Sequence, residues 1–369
     1  MRRRPVTMFF CGDVMLGRGI DQILPNPGDP RLQETYVRDA RHYVELAEQV
    51  NGAIPRPVDY SWPWGDALEV LAEQAPDVRV VNLETSITRG GVFTPGKAVH
   101  YRMSPVNMAC LAAVRPDVCV LANNHLLDFG RHGLAETLEA LSKAGLRSAG
   151  AGPDAVAAER PAVVPDGIDG RVLVFSYAMP SSGAPLPWAA TPEQPGIALV
   201  REPSPAEADR ILTHVRASTR PGDRIVVSVH WGSNWGYRVS RRDVQFARRL
   251  VDGGVDVVHG HSSHHPRPIE VYRGKLILYG CGDLVDDYEG ITGYEEFRDD
   301  LRLMYFVSVE PDTGAMLSLR MVPLQARQLR LHRASSEDTA WLQATLTRIS
   351  NRFDTRIVPA ADGNLHLAW

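Results

Sequence analysis

Six short polar clusters interrupt an otherwise apolar pattern, and their residue types are those that bind cations and move protons. They are Cys11-Gly12-Asp13-Val14-Met15-Leu16-Gly17-Arg18, Asn82-Leu83-Glu84-Thr85, Ala122-Asn123-Asn124-His125 followed by Asp128, Val229-His230-Trp231-Gly232, His259-Gly260-His261-Ser262-Ser263-His264-His265-Pro266, and Tyr279-Gly280-Cys281-Gly282-Asp283 followed by Asp286 and Asp287. Asp13, Glu84 and Asn124 offer hard oxygen ligands, and His230 and His261 offer imidazole nitrogens. That set suits one divalent metal ion, Ca²⁺ or Mn²⁺ before tetrahedral Zn²⁺, with no organic cofactor. Imidazoles among His125, His230, His261 and His264 that are free of metal titrate near neutral pH. They then serve as general acids and bases, oriented by a carboxylate such as Asp128 or Asp283. Trp231 and Trp235 flank the His230 turn and suit an apolar or peptide ligand, while Arg18, Lys97 and Arg102 are candidates to hold a carboxylate or phosphate.

Each cluster follows a run of β-forming residues. The expected strands are Val6–Gly12, Val78–Leu83, Val118–Ala122, Val172–Ala178, Ile225–His230, Val255–Gly260, Lys275–Tyr279, Tyr305–Val309 and Leu317–Val322. Helical spacing marks Gly133–Ala144, Pro205–Ser218, Arg241–Asp252 and a segment near Arg38–Val50. Strands alternating with helices predict an α/β fold of layered sheets. In such sheets the strand C-terminal ends form the ligand crevice, so clusters as distant in sequence as Asp13 and Asp283 can converge. Two long stretches, about 21–65 and 181–202, read as insertions that wall or cover a site. The expected organisation is a single catalytic domain over 1–334, with 335–369 a helix (Glu337–Arg348) and tail packed on it.

The 40 basic and 44 acidic side chains leave a formal charge of -4, which gives no basic field for nucleic acid. The four cysteines form no CxxC pair and read as reduced and buried. The basic start Met1–Pro5 precedes an apolar run too short for a signal segment, and no stretch reaches the roughly 18 apolar residues of a membrane span. The expectation is a cytoplasmic protein without a membrane anchor; its oligomeric state is left open.

The order GDVMLGR, NLE, ANNH, HWG, GHSSHHP and YGCGD, over about Phe9 to Asp287, resembles the poly-γ-glutamate capsule-synthesis (CapA-like) family. That resemblance implies the calcineurin-like metallophosphoesterase fold, with the site at strand C-terminal ends, and dependence on metal. Met15 stands where dinuclear phosphoesterases carry the His of Asp-x-His, Glu84 where they carry a bridging Asp, and Ser262-Ser263 opens their Gly-His-x-His. These departures argue against a second metal and the two-metal clamp of phosphoester hydrolysis. With no anchor read, the chain is closest in character to the family's cytoplasmic lasso-peptide epimerases. The expected activity is metal-dependent proton exchange at Cα of a C-terminal residue of a precursor peptide, which would be the partner. The alternatives are a soluble metallophosphoesterase and a poly-γ-glutamate synthesis or assembly protein.

Overall fold

Valine-rich runs that are apolar on both faces must be covered on both faces, and here they become the central parallel strands of two stacked sheets. The computed structural model describes residues 4–167 and 170–369; of the basic start, Met1–Arg3 lie outside the described residues. The chain opens with β1 (Val6–Val14), β2 (Val78–Leu83), β3 (Val118–Val120) and β4 (Arg147–Ala149). It continues through β5 (Ala162–Pro165), β6 (Arg171–Ala178), β7 (Arg224–His230), β8 (Val257–His261), β9 (Ile269–Tyr272) and β10 (Lys275–Leu278). It closes with β11 (Asp283–Val285), β12 (Leu301–Val309), β13 (Met316–Arg327), β14 (Arg330–Arg333), β15 (Arg356–Pro359) and β16 (Leu365–Ala368).

The first sheet has ten strands, in the order β15-β16-β13-β12-β1-β2-β3-β4, with β11 also on β1 and β14 on β13. The second has six, in the order β9-β10-β8-β7-β6-β5. In the first sheet β1, β2, β3 and β4 run parallel, and in the second β6, β7, β8 and β10 do. Val6, Met8, Phe10, Val78, Val80 and Val118 of one sheet share a buried core with Val172, Val174, Val226, Val257 and Leu276 of the other. The outer face of the first sheet packs on α1 (Arg18–Ile23), α2 (Arg41–Asn51), α3 (Ala67–Gln74) and α4 (Gly130–Lys143) through Ile20, Val44, Val70 and Leu134. The outer face of the second packs on α5 (Pro205–Ser218) and α6 (Arg241–Asp252) through Ile211, Leu212, Phe246 and Leu250. The result is four layers, helix, sheet, sheet, helix.

Local sequence explains the helix ends. The Ser240 side chain accepts from the Asp243 amide while Asp243 reaches back to the Ser240 amide, which closes a capping box on α6. Ser204 caps α5 ahead of Pro205, whose missing N–H costs nothing in the first turn. Ser335 caps α7 (Ser336–Ser350), which buries Leu342, Leu346 and Ile349 against the core between the sheets. Beyond it, β15 and β16 form a hairpin whose second strand extends the first sheet by pairing with β13.

Several boundaries differ from the sequence expectation. β1 and β12 run longer than expected because the polar residues of their extensions, Asp13 and Arg302, are buried in pairing that periodicity does not report, and β13 also runs longer, ending at the exposed Arg327. The sequence marks β11 only as a polar cluster, yet it lies parallel to β1 with Asp13 opposite Asp283 and Val14 opposite Val285. Backbone proximity makes this pairing possible. The Asp13 amide donates to the Gly282 carbonyl at 3.1 Å, and a Cβ placed on Gly12 would stand 1.5 Å from that same oxygen.

Gly12→Ala is therefore expected to destabilise the protein by about 3 kcal/mol or more, since the clash is with backbone that cannot rotate away. Urea unfolding compared with wild type measures it. An unchanged midpoint would show that the β1–β11 contact is slack.

Candidate metal centre

Parallel strands place their C-terminal ends on one edge, and there the polar clusters meet. Asp13 ends β1, Glu84 follows β2, Asn124 and His125 follow β3, His230 ends β7, His261 ends β8, and Asp283 opens β11. Ligand atoms of Asp13, Glu84, His230 and His261 all lie within 4.8 Å of one another, as do those of Asp13, His264 and Asp283. Asp13 belongs to both groups. Asn124 stands beside the first, its Oδ1 at 2.9 Å from His230 Nε2, and Glu84 Oε1 lies 3.5 Å from the same nitrogen.

The electrostatics of this cluster favour a positive charge at its centre. Burial pushes the Asp13 carboxyl well above its usual range, and the neighbouring charges of Glu84 and Asp283 push it further. Burial raises Glu84 too, against a hydrogen bond from Asn82. Asp13 Oδ2 and Asp283 Oδ2 are buried without a hydrogen-bond partner, although buried carboxylate oxygens are ordinarily satisfied. His230 and His261 are held far below the ordinary histidine range, chiefly by burial, so each is neutral and keeps a lone pair. Neutral imidazoles beside under-satisfied carboxylates are a donor set that fits a divalent cation.

Two His–Asp pairs flank the cluster. His125 Nδ1 is 2.7 Å from Asp128 Oδ2, and Asp128 also takes the Tyr101 amide at 2.7 Å and Lys97 Nζ at 2.5 Å. Burial, aided by the Lys97 charge, lowers His125 to about 4, which leaves a neutral ring whose second nitrogen can accept a proton. His264 behaves oppositely. Burial disfavours its charge, but Asp283 at 3.1 Å outweighs that and raises its pKa.

Glu84, Asn124, His230 and His264 of the cluster line a cavity of about 500 Å³ together with Arg18, Tyr43, Lys97, Tyr101, His125, Trp235, Tyr288 and Tyr294, among others. Tyr43 comes from the first long connection, and Ser181, Ser182 and Gly183 from the second, so both connections contribute wall. Trp235 stacks on Tyr294 at 3.9 Å between ring centres, forming one aromatic side.

Two expected substrate contacts, Trp231 and Arg102, lie away from the cavity, and a third, Arg18, is already paired within its wall. Trp231 is buried under the second sheet, its Nε1 donating to the Tyr279 carbonyl at 3.0 Å and its ring edge-on to Phe246, so it is core. Arg102 donates to the Asp29 carbonyl at 2.9 Å and lies over Phe129, lining a separate pocket with Asn26 and Ser104. Arg18 does line the cavity, but its guanidinium is committed to Asp287 and Glu34 and stacked on Tyr43. Of the second donor group, Asp13 belongs to the metal set expected from sequence, whereas His264 and Asp283 are expected there as acid/base groups. Met15 is buried and apolar as its type suggests, and Asp283, brought alongside Asp13 by β11, stands in the second group instead. Asn82 is a further omission. Its Nδ2 donates to Asp13 at 2.7 Å and Glu84 at 2.6 Å, bridging the two carboxylates, and its place two residues before Glu84 on β2 is the available sign.

Residues 7–288 match the family described as Bacterial capsule synthesis protein PGA_cap. The chain is 56% identical over 363 residues to the Probable polyglutamine synthesis accessory protein of Mycobacterium tuberculosis strain H37Rv, covering 98% of this chain and 96% of that one. It is 25% identical to the Capsule biosynthesis protein CapA of Bacillus anthracis, over 88% of this chain and 68% of that one. It is also 25% identical to the PGA biosynthesis protein CapA of Bacillus subtilis strain 168, over 80% of this chain and 66% of that one.

Asp13→Asn provides a direct test of the charge imbalance. The raised Asp13 pKa means that the folded protein keeps a proton which the unfolded chain has lost above about pH 4, so this group lowers stability as pH rises past that point. With chelator present, the variant's melting temperature should gain on wild type between pH 4 and pH 7. Added Mn²⁺ should stabilise wild type and leave the variant unmoved. Parallel pH profiles with equal Mn²⁺ responses would remove Asp13 from the centre.

Proposed function

This chain belongs to the bacterial capsule synthesis protein family PGA_cap, and from that premise we propose that it is a metal-dependent accessory enzyme in the synthesis of a glutamate-based polymer, cleaving an amide link of the chain. The names of its relatives, a polyglutamine synthesis accessory protein and two CapA proteins, favour the polymer reading over peptide epimerisation. The observation that carries an enzymatic role is the pair of donor groups sharing the buried Asp13, whose members Glu84, His230 and His264 line a cavity.

A divalent cation bound there would polarise a carbonyl oxygen and activate water. Asp13, Glu84, His230, His261 and Asn124 would hold one such ion, and Asp13, His264 and Asp283 a second. His125, fixed by Asp128, takes up a proton near the cavity floor. Lys97 neutralises Asp128 and lies 4.8 Å over the Trp188 ring, which keeps it close to where a substrate carboxylate would enter. Trp235 and Tyr294 offer a flat apolar side for the methylene stems of glutamyl residues.

Epimerisation at Cα calls on the same two His–Asp pairs but conserves mass. The test is incubation with γ-linked and α-linked glutamyl oligomers and their amides in ¹⁸O-water, with Mn²⁺ or chelator, read by mass spectrometry. Chelator-sensitive shortening with one ¹⁸O per cleavage is expected, and His125→Ala should slow it about 100-fold or more. Exchange of a single deuteron from D₂O without shortening would transfer the site to epimerisation. Chelator-sensitive phosphate release from phosphoesters alone would transfer it to phosphoester hydrolysis.

A further inference from the structure

A second cavity, of about 490 Å³, adjoins the first, and Tyr288, Ile291 and Asp299 line both. It sits where β12 and β13 meet, with Leu301 opposite Gln325 in the antiparallel ladder. Carried two residues outward, that register sets Asp299 against Arg327. The Ala326 amide donates to the Asp300 carbonyl at 2.9 Å, so the two chains still lie side by side there. Opposite charges facing each other across antiparallel strands ordinarily attract. Asp299 and Arg327 make no ion pair among the described residues, and both line the cavity instead.

The other charged groups of this cavity are occupied. Arg298 holds Asp300 and Asp338, and Arg302 holds Asp286. Glu289 accepts from the Asn51 side chain and from the Gln328 and Leu329 amides, and Glu295 turns back on the Gly293 amide. Asp299 has no hydrogen bond to another residue among those described. Burial raises its carboxyl; Arg302 opposes the rise and Asp283 adds to it, the condition of an acid short of counter-charge. Arg327 gives only its Nε, to Asn51 Oδ1 at 3.2 Å, and its Nη1 and Nη2 have no partner among the described residues. One unpaired acid and one unpaired guanidinium facing each other match a ligand that carries an ammonium and a carboxylate close together.

We propose that this cavity is a binding site for an α-amino-acid head group, its ammonium on Asp299 and its carboxylate on Arg327, and that the occupant is the amino-terminal residue of a glutamyl chain joined through its side chains. The linkage follows from the charges. In a chain joined through α-carboxyls, the first residue keeps its ammonium but loses its α-carboxylate to the amide. Joined through the γ-carboxyl, it keeps both charges on one carbon. Inner residues of either chain carry a carboxylate and no ammonium, so Asp299 repels them and selects the chain end. This deepens the proposed function and rests on its glutamyl substrate. The wall shared by the two cavities puts the head group next to the one that the metal cluster lines.

Titration calorimetry of the chelator-treated wild-type protein reads binding without turnover. γ-Linked triglutamate is expected to bind. Acetylating its amino end, or converting its first α-carboxylate to the amide, should each weaken binding about tenfold or more, the effect of losing one hydrogen bond to a charged group. Asp299→Asn should no longer distinguish the free from the acetylated peptide, and Arg327→Gln should no longer distinguish the acid from the amide. Wild type that binds none of these peptides, or binds the free and acetylated forms alike, would overturn the site, as would Asp299→Asn that still tells them apart. α-Linked triglutamate or free glutamate bound as tightly as the γ-linked trimer would overturn the chain-end assignment. Selective binding with no ¹⁸O-labelled shortening would overturn the cleavage reading instead and leave this site standing.

Discussion

Three carboxylates, Asp13, Glu84 and Asp283, are held together inside a sandwich of valine and phenylalanine, and the rest of the site answers that constraint. Ionised groups in such surroundings are costly unless a cation or donors offset them. Part of the offset is built in. Asn82 donates to two of the carboxylates and His264 pairs with the third. The remainder is the orphaned oxygens of Asp13 and Asp283, which give the cluster its fit for a divalent ion. Backbone geometry keeps the groups from drifting apart, because Gly12 lets β1 approach the Gly282 carbonyl ahead of β11 more closely than a side chain at position 12 would allow.

Around this centre, ionic and aromatic groups are arranged to hold the cavity open. Arg18 adopts a left-handed backbone conformation and spans Asp287 and Glu34, with Tyr43 and Tyr101 against its guanidinium plane. Tyr101 and Tyr288 join their hydroxyls across the same region. Arg302 binds Asp286, three residues beyond Asp283, with both nitrogen–oxygen contacts under 3 Å. Such buried charged networks are expensive to assemble and stiff once satisfied, which suits walls that must present a fixed shape. No helix among the described residues is long and apolar enough to cross a membrane.

The family and the cluster of candidate ligands were legible because they are written as contiguous short motifs at strand ends. GDVMLGR, ANNH and GHSSHHP keep their chemistry in adjacent residues, so the motifs alone name Asp13, Asn124 and His261, and the HWG turn names His230. The aromatic and cationic contacts were not legible in the same way. Trp231 and Trp235 stand four residues apart with similar neighbours, yet one is core and the other lines the cavity, since the turn at Gly232 redirects the chain. Arg102 is likewise an arginine near a polar cluster, and only the fold sends it to a different pocket. The epimerase expectation leaned on an anchor not being read in the sequence, whereas the relatives are named for polyglutamine synthesis and capsule biosynthesis.

The sequence by itself determined the alternation of apolar runs with helical segments, and hence two sheets with ligand-type residues at their ends, because burial of period-two and period-3.6 patterns is a local property. It also determined which residue types were present to bind a cation. Tertiary structure alone decided which of them meet. The second donor group depends on β11 lying parallel to β1, with Asp283 opposite Asp13, a contact between opposite ends of the motif series that no local pattern encodes. The meeting of His230 and His261 depends on β7 and β8 being in register. Shared ligands are properties of distances between strands, and those distances exist only once both sheets have closed on their common core.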